Sequence, residues 1–304
     1  MLEITNPNES ELETVVQFAF QHLAPHESAP QVGTIMQQHR AGQIDLHGIF
    51  QAKHAGTLVG AMYVQPRTDG SVMLWVPAMA QGFSAAPMFE HIVQYAKTKN
   101  AFAAIALADR NQTFDENTLC NEGRFRFLSD MINLAVEITP NDVATEPYRL
   151  QFVPLSDYTE DYPQEISGRL TCLVKETYEH TLDFPDLMQI APVDLVLQGY
   201  KTNALFRPEL WFVIRHEGAE VGVLLLTDAS PEQFELTYMG LVVSVRRQGF
   251  SREIVRFARE TASRWNRVLL LTSVDGNNIP ACQSYIAQGF KAWDRKRVYA
   301  RFFP

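Results

Sequence analysis

Tyr238-Met-Gly-Leu-Val-Val-Ser-Val-Arg-Arg-Gln-Gly-Phe-Ser251 is the stretch on which the reading of this chain turns. Its first half is rich in β-branched and aromatic residues and reads as the end of a strand spanning Phe234 to Val243. A short loop, Ser244 to Gly249, then leads into a helix. That helix has an apolar face of Phe250, Ile254, Phe257, Ala258, Thr261 and Trp265, recurring at three and four, with Arg252, Glu253, Arg256, Arg259 and Glu260 elsewhere. A loop between a strand and a helix N-terminus presents free backbone N–H groups and the positive end of the helix dipole, and both favour an anion. Gly249 removes the Cβ that would hold a phosphate off the backbone, and Arg246 and Arg247 add positive charge. This is the outline of a pyrophosphate cradle. It is neither a Walker loop, since no Gly-Lys-Ser/Thr follows, nor a dinucleotide fingerprint, since it has one glycine.

The flanking elements predict a mixed α/β layer. Upstream, Leu210–Arg215 and Val221–Leu226 flank His216-Glu-Gly-Ala-Glu220, which reads as a hairpin. Downstream, Val268–Thr272 is an apolar run short enough for a buried parallel strand. A helix over Pro280–Gln288 then starts with Pro in its first turn and stops at Gly289.

Together with Asn278-x-x-Ala281-x-x-x-Tyr285-x-x-x-Gly289-Phe290, the opening stretch resembles the GNAT superfamily of acyl-CoA-dependent N-acetyltransferases. The resemblance covers residues 200 to 295 and rests on two motifs in the right order and separation. It implies that acetyl-CoA is the co-substrate and that the acyl group passes directly to an amine, with no covalent enzyme intermediate. By the same resemblance Arg246, Arg247, Gln248, Gly249, Phe250, Ser251 and Arg252 form the coenzyme A pyrophosphate loop, with Ser251 where the family carries Gly or Ala. Met239, Gly240 and Leu241 would pair with pantetheine where the family splays its two central strands apart. Asn278 matches the family's Asn near the pantetheine arm, and Tyr285 the Tyr that protonates the leaving thiolate. Glu235 lies six residues before Leu241, where the histone-acetyltransferase branch carries its catalytic base. Strand parity puts Glu235, Thr237, Met239 and Leu241 on one face unless a bulge intervenes. The alternative base, a Glu just before the Asn motif, is replaced by Ser273, and a water chain would serve in its absence. A non-catalytic acyl-CoA sensor or scaffold is the alternative function.

The chain also repeats itself. His54-Ala-Gly-Thr-Leu-Val-Gly60 matches His216-Glu-Gly-Ala-Glu-Val-Gly222, and Gln81-Gly-Phe-Ser84 recurs as Gln248-Gly-Phe-Ser251. The offsets are 162 residues (54 to 216) and 167 residues (81 to 248), so two copies of one fold are expected. The join is placed in the turn-rich stretch 139 to 148, giving domains 1–145 and 146–304, each a mostly antiparallel mixed sheet with helices on both faces. An early helix is expected in each, over Ser10–Leu23 and roughly Glu165–His180, the first opened by a Ser10/Glu13 capping box. In the first copy Met79 and Ala80 stand where the second has Arg246 and Arg247. If Gly123 corresponds to Gly289, Leu119 takes the Tyr285 position. The first copy therefore reads as degenerate.

Composition bounds the partners. With 26 Lys+Arg against 35 Asp+Glu the net charge is −9, which disfavours a nucleic-acid backbone and suits a cationic acceptor. No apolar run approaches a membrane span, and the acidic start carries no signal pattern. Cys120, Cys172 and Cys282 are few, scattered and odd in number, which fits a reducing, cytoplasmic compartment. No metal is expected: His22-x-x-x-His26 is interrupted by Pro25. The expected acceptor is a small-molecule or peptide amine, received by the carboxylates and aromatics of Glu176–Asp186, and a homodimer is compatible with the sequence.

Overall fold

The computed structural model describes residues 2–21, 25–109, 116–139, 142, 146–157, 166–202 and 206–303. The chain forms two compact units, Met1–Leu128 with Lys296–Pro304, and Ser129–Arg295. The sequence placed one join near residues 139 to 148, of which 140–141 and 143–145 lie outside the described residues. The units divide the chain differently because of strand pairing. Strand β7 (Arg126–Glu137) pairs through Met131–Glu137 with β12 (Leu269–Asp275) of the second unit. Strand β13 (Lys291–Phe302) pairs through Lys296–Phe302 with β6 (Ala103–Asp109) of the first.

In the first unit the strands β1 (Glu3–Thr5), β2 (Ile49–His54), β3 (Thr57–Pro66), β4 (Ser71–Leu74), β6 and β13 lie in that order, with β5 (Ala78–Met79) on β3. Only β4 and β6 are parallel. Helices α1 (Glu9–Ala19) and α2 (Pro25–Arg40) bury Leu12, Val16 and Met36 on one face, and α3 (Ala86–Thr98) buries Met88, Phe89 and Ile92 on the other. The capping box of α1 is Asn8 and Glu11, two residues earlier than the expected Ser10 and Glu13. Asn8 Oδ1 accepts from the amides of Ser10 (3.0 Å) and Glu11 (3.1 Å), while Glu11 accepts from the Asn8 amide at 3.0 Å. Asn is as good an N-cap as Ser, so the helix starts where the earlier box closes.

The second unit repeats the plan. Strands β8 (Gln151–Pro154), β9 (Trp211–His216), β10 (Ala219–Ser230), β11 (Gln233–Leu241), β12 and β7 lie in that order, with only β11 and β12 parallel. Helices α4 (Ile166–Tyr178) and α5 (Val193–Thr202) pack Leu170, Val174 and Leu197 against Trp211, Val213 and Val223. On the other face α6 (Phe250–Arg264) and α7 (Ile279–Ala287) pack Ile254, Ala258 and Tyr285 against Phe212, Leu224 and Leu236.

The repeated motifs have one physical explanation. In both copies the His-x-Gly segment is a two-residue hairpin turn with positive φ at both positions: Ala55 (47°) and Gly56 (80°), Glu217 (50°) and Gly218 (82°). In both, the following Val, Val59 or Val221, is skipped by the strand register, and a Gly approaches its neighbour closely. A Cβ on Gly222 would lie 2.2 Å from the Gly240 carbonyl oxygen. The two motifs also touch. His54 packs on Phe83 at 5.4 Å between ring centroids, and His216 on Phe250 at 4.8 Å.

Candidate active site

Strand β11 stays paired with β10 as far as Leu241, opposite Gly222. Its parallel pairing with β12 stops at Leu236 opposite Thr272, while β12 runs on to Asp275 against β7. The two central strands thus part after four paired positions, and the edge of β11 over Thr237–Leu241 faces an opening. A register shift against Leu225 and Leu226 leaves Thr237 unpaired, a bulge pinned by a 2.7 Å hydrogen bond from Thr237 Oγ1 to Thr227 Oγ1.

The bulge changes which side chains share a face. Phe234 and Leu236 before it, and Met239 and Leu241 after it, all pack in the cluster beneath α6 and α7. Tyr238 packs in the cluster beneath α4. Glu235 therefore lies on the Tyr238 side, apart from Met239 and Leu241, on a rung where β11 is still paired with Leu271. Burial raises its carboxyl pKa. Gly240 is required by close approach, since a Cβ there would lie 2.6 Å from Thr177 Oγ1.

Beyond β11 the loop turns through Arg247 (φ 66°) and Gly249 (φ 80°), both left-handed, into α6 at Phe250. Among the described residues no acceptor is bonded to the five successive amides of Arg247, Gln248, Gly249, Phe250 and Ser251. They form a backbone donor array at the positive end of a 15-residue helix. Arg246 does not point its charge into this array. Its guanidinium donates to the carbonyls of Leu241 (2.9 Å), Thr177 (2.9 Å) and His180 (3.2 Å), tying the end of β11 to the end of α4. Arg247 and Arg252 are exposed beside the array. A further cation was missed by sequence reasoning, because it lies about a hundred residues upstream with no motif around it. Arg149 stacks over Phe250 at 4.6 Å, donates to the Gln248 carbonyl at 3.2 Å and pairs with Glu253 at 2.5 Å.

At the base of the opening Tyr285 is buried, with its hydroxyl beside Thr272 on the last paired rung. Burial raises its pKa, so it keeps its proton at neutral pH. Asn278 caps α7, its Oδ1 accepting the Ala281 amide at 3.3 Å, and its side chain also bonds Asp183. Ser251 and Ser284 join α6 to α7 through a 3.2 Å hydroxyl contact. Cys282 is partly buried, its thiol directed at the Asp275 carbonyl at 3.6 Å, and its pKa is raised by burial. No cluster of potential metal ligands occurs among the described residues, and His22 lies outside them. No described helix is long and apolar enough to cross a membrane.

Compared as a sequence, the chain matches no family model and no curated protein. Compared as a fold, it is similar over 99% of its length to a GCN5-related N-acetyltransferase from Sphaerobacter thermophilus, covering 95% of that chain at TM-score 0.58 and 14% identity. A tandem GNAT protein of the clavulanic acid biosynthesis pathway matches all of this chain and 99% of its own at TM-score 0.50 and 13% identity. A glucosamine N-acetyltransferase region of a fungal multi-domain β-N-acetylglucosaminidase matches 99% of this chain, covering 38% of that one, at TM-score 0.57 and 11% identity. The fold is that of the GCN5-related N-acetyltransferases, in its tandem form.

Proposed function

We propose that the second unit is an acyl-CoA-dependent N-acetyltransferase acting on an amine. The observation that carries this reading is the donor array of Arg247–Ser251 at the helix N-terminus, placed at the end of a strand edge that has left its neighbour. Five unengaged amides with Arg247, Arg252 and Arg149 nearby suit a pyrophosphate. The free edge of Thr237–Leu241 suits an extended amide-containing arm, which would pair as an added strand.

Bound there, acetyl-CoA supplies an acetyl thioester. The chain's own contribution is to hold it in line with the acceptor, to polarise its carbonyl with a backbone N–H of β11, and to handle two protons. Tyr285, held protonated by burial, would give its proton to the departing sulfur.

Calorimetric titration with acetyl-CoA tests the reading. One site per chain is expected. Ser251→Glu should abolish it, because the new carboxylate favours the first turn of α6 while repelling the pyrophosphate. Tyr285→Phe should keep binding and lower turnover on the order of 10²-fold. No binding to the wild type would contradict the proposal.

A further inference from the structure

We propose that Asp183 receives the acceptor ammonium and takes its proton, and that the acceptor is a primary amine on an apolar body. This rests on the acetyltransferase reading above and names its substrate class.

The opening between β11 and β12 fixes where Asp183 lies. The Gly276 amide donates to the Asp130 carbonyl at 2.7 Å on the β7 side, so the preceding amide, Asp275 N–H, points the opposite way, toward the side β11 has left. Asp183 Oδ1 accepts that amide at 2.9 Å. A side-chain carboxylate thus stands where a closed sheet would place a β11 carbonyl. Its neighbour Asp275 is fully engaged, accepting the amides of Phe184 and Asn277 at 2.8 Å each and the Ser129 hydroxyl. Asp275 clamps the loop. Asp183 takes only the Asp275 amide and the Asn278 side chain, which leaves acceptor capacity on its two oxygens.

No Lys or Arg pairs with Asp183 among the described residues, although it is half-buried beside the buried carboxylate of Asp275. A partly desolvated carboxylate without a cation favours one, and an ammonium supplies it. The ring walls fit the same ligand. Tyr178 and Tyr238 meet edge to face at 5.6 Å. The Tyr178 hydroxyl is buried beside Tyr200. Aromatic faces and Leu182, which is exposed, accept an ammonium and its apolar body together. Glu235 lies before the bulge, on a rung where β11 is still paired with β12.

Burial raises the Asp183 pKa, the Asp275 amide opposing it and the Asp275 charge adding to it, which brings a carboxylate closer to useful basicity. The groups facing it are Asp275 from β12, Tyr178 from α4, Tyr238 from β11, and Tyr285 and Cys282 from α7. In the step, the ammonium gives one proton to Asp183, the neutral amine bonds the thioester carbon, and the carbon–sulfur bond breaks as the thiolate takes the Tyr285 proton. The second nitrogen proton, shed as the amide forms, restores the Tyr285 phenol through solvent, and Asp183 releases its own proton to solvent.

The probe is 2-phenylethylamine with acetyl-CoA, measured for rate against pH and for amine binding by calorimetry on the CoA-saturated protein. Asp183→Asn keeps an oxygen for the Asp275 amide. It should bind acetyl-CoA normally, lose ~100-fold in rate together with the acid limb of the profile, and bind the amine more weakly. Asp183→Glu should recover part of the rate, and Glu235→Gln should stay within about threefold of wild type. Wild-type rate and acid limb in Asp183→Asn, or failure of the wild type to bind 2-phenylethylamine, would overturn the proposal. Loss of acetyl-CoA binding in the wild type would instead overturn the acetyltransferase reading itself.

Discussion

Arg246 and Asp183 illustrate how a charged residue's neighbours decide its role. Arg246 reads from sequence as a phosphate-binding cation, yet three carbonyls consume its guanidinium. Arg246→Met should therefore cost on the order of 2 kcal/mol in urea unfolding by stranding those acceptors, with a smaller effect on acetyl-CoA affinity than Ser251→Glu. A stability unchanged by the substitution would contradict the clasp. Asp183 makes a pH prediction independent of any substrate. Its folded pKa lies above that of an ordinary aspartate, so as pH rises the unfolded chain releases this proton first and the folded state loses stability. The stability of Asp183→Asn relative to wild type should accordingly increase from about pH 4 to about pH 7, read as a growing difference in Tm. A constant difference would show that the carboxyl ionises alike in both states. The loop residues and Tyr285 were legible because they lie in two compact motifs. Arg149 and Asp183 were not singled out by spacing, since only the folded sheet brings them to the cradle and the opening.

At the scale of elements, the hairpin, the amphipathic α6 and the buried parallel strand were legible from turn residues and periodicity. The Thr237 bulge was not, because a one-residue insertion leaves no compositional trace while exchanging the faces of all residues beyond it. Strand parity alone therefore grouped Glu235 with Met239, and the folded strand separates them. The repeated glycines give a graded test of close packing. Gly222→Ala meets a backbone oxygen at 2.2 Å, whereas Gly60→Ala meets the flexible Met79 sulfur at 2.7 Å. Gly222→Ala should cost about 1–3 kcal/mol and Gly60→Ala less, measured by denaturant unfolding. The opposite ranking would contradict the assigned register.

At the scale of the whole molecule, two copies of one plan were legible from the drifting repeat, but the exchange of the last strands was not. It depends on pairings such as Leu271 with Ala135, which no local pattern announces. The copies also differ in what lies at the helix after the Gln-Gly-Phe-Ser loop. In the first unit α3 starts only at Ala86, and Glu122 accepts both the Ala86 amide at 3.0 Å and the Ser84 hydroxyl at 2.7 Å. A carboxylate of the chain itself thus sits at the helix N-terminus that an external anion would need, while in the second unit the amides of Arg247–Ser251 are unengaged. On the proposed reading the second unit holds the one working cradle of the chain, and binding stoichiometry reports it. Titrating the intact protein with acetyl-CoA should give one site per chain, lost in Ser251→Glu and retained in Glu122→Ala. Two sites, or a single site untouched by Ser251→Glu, would contradict the account.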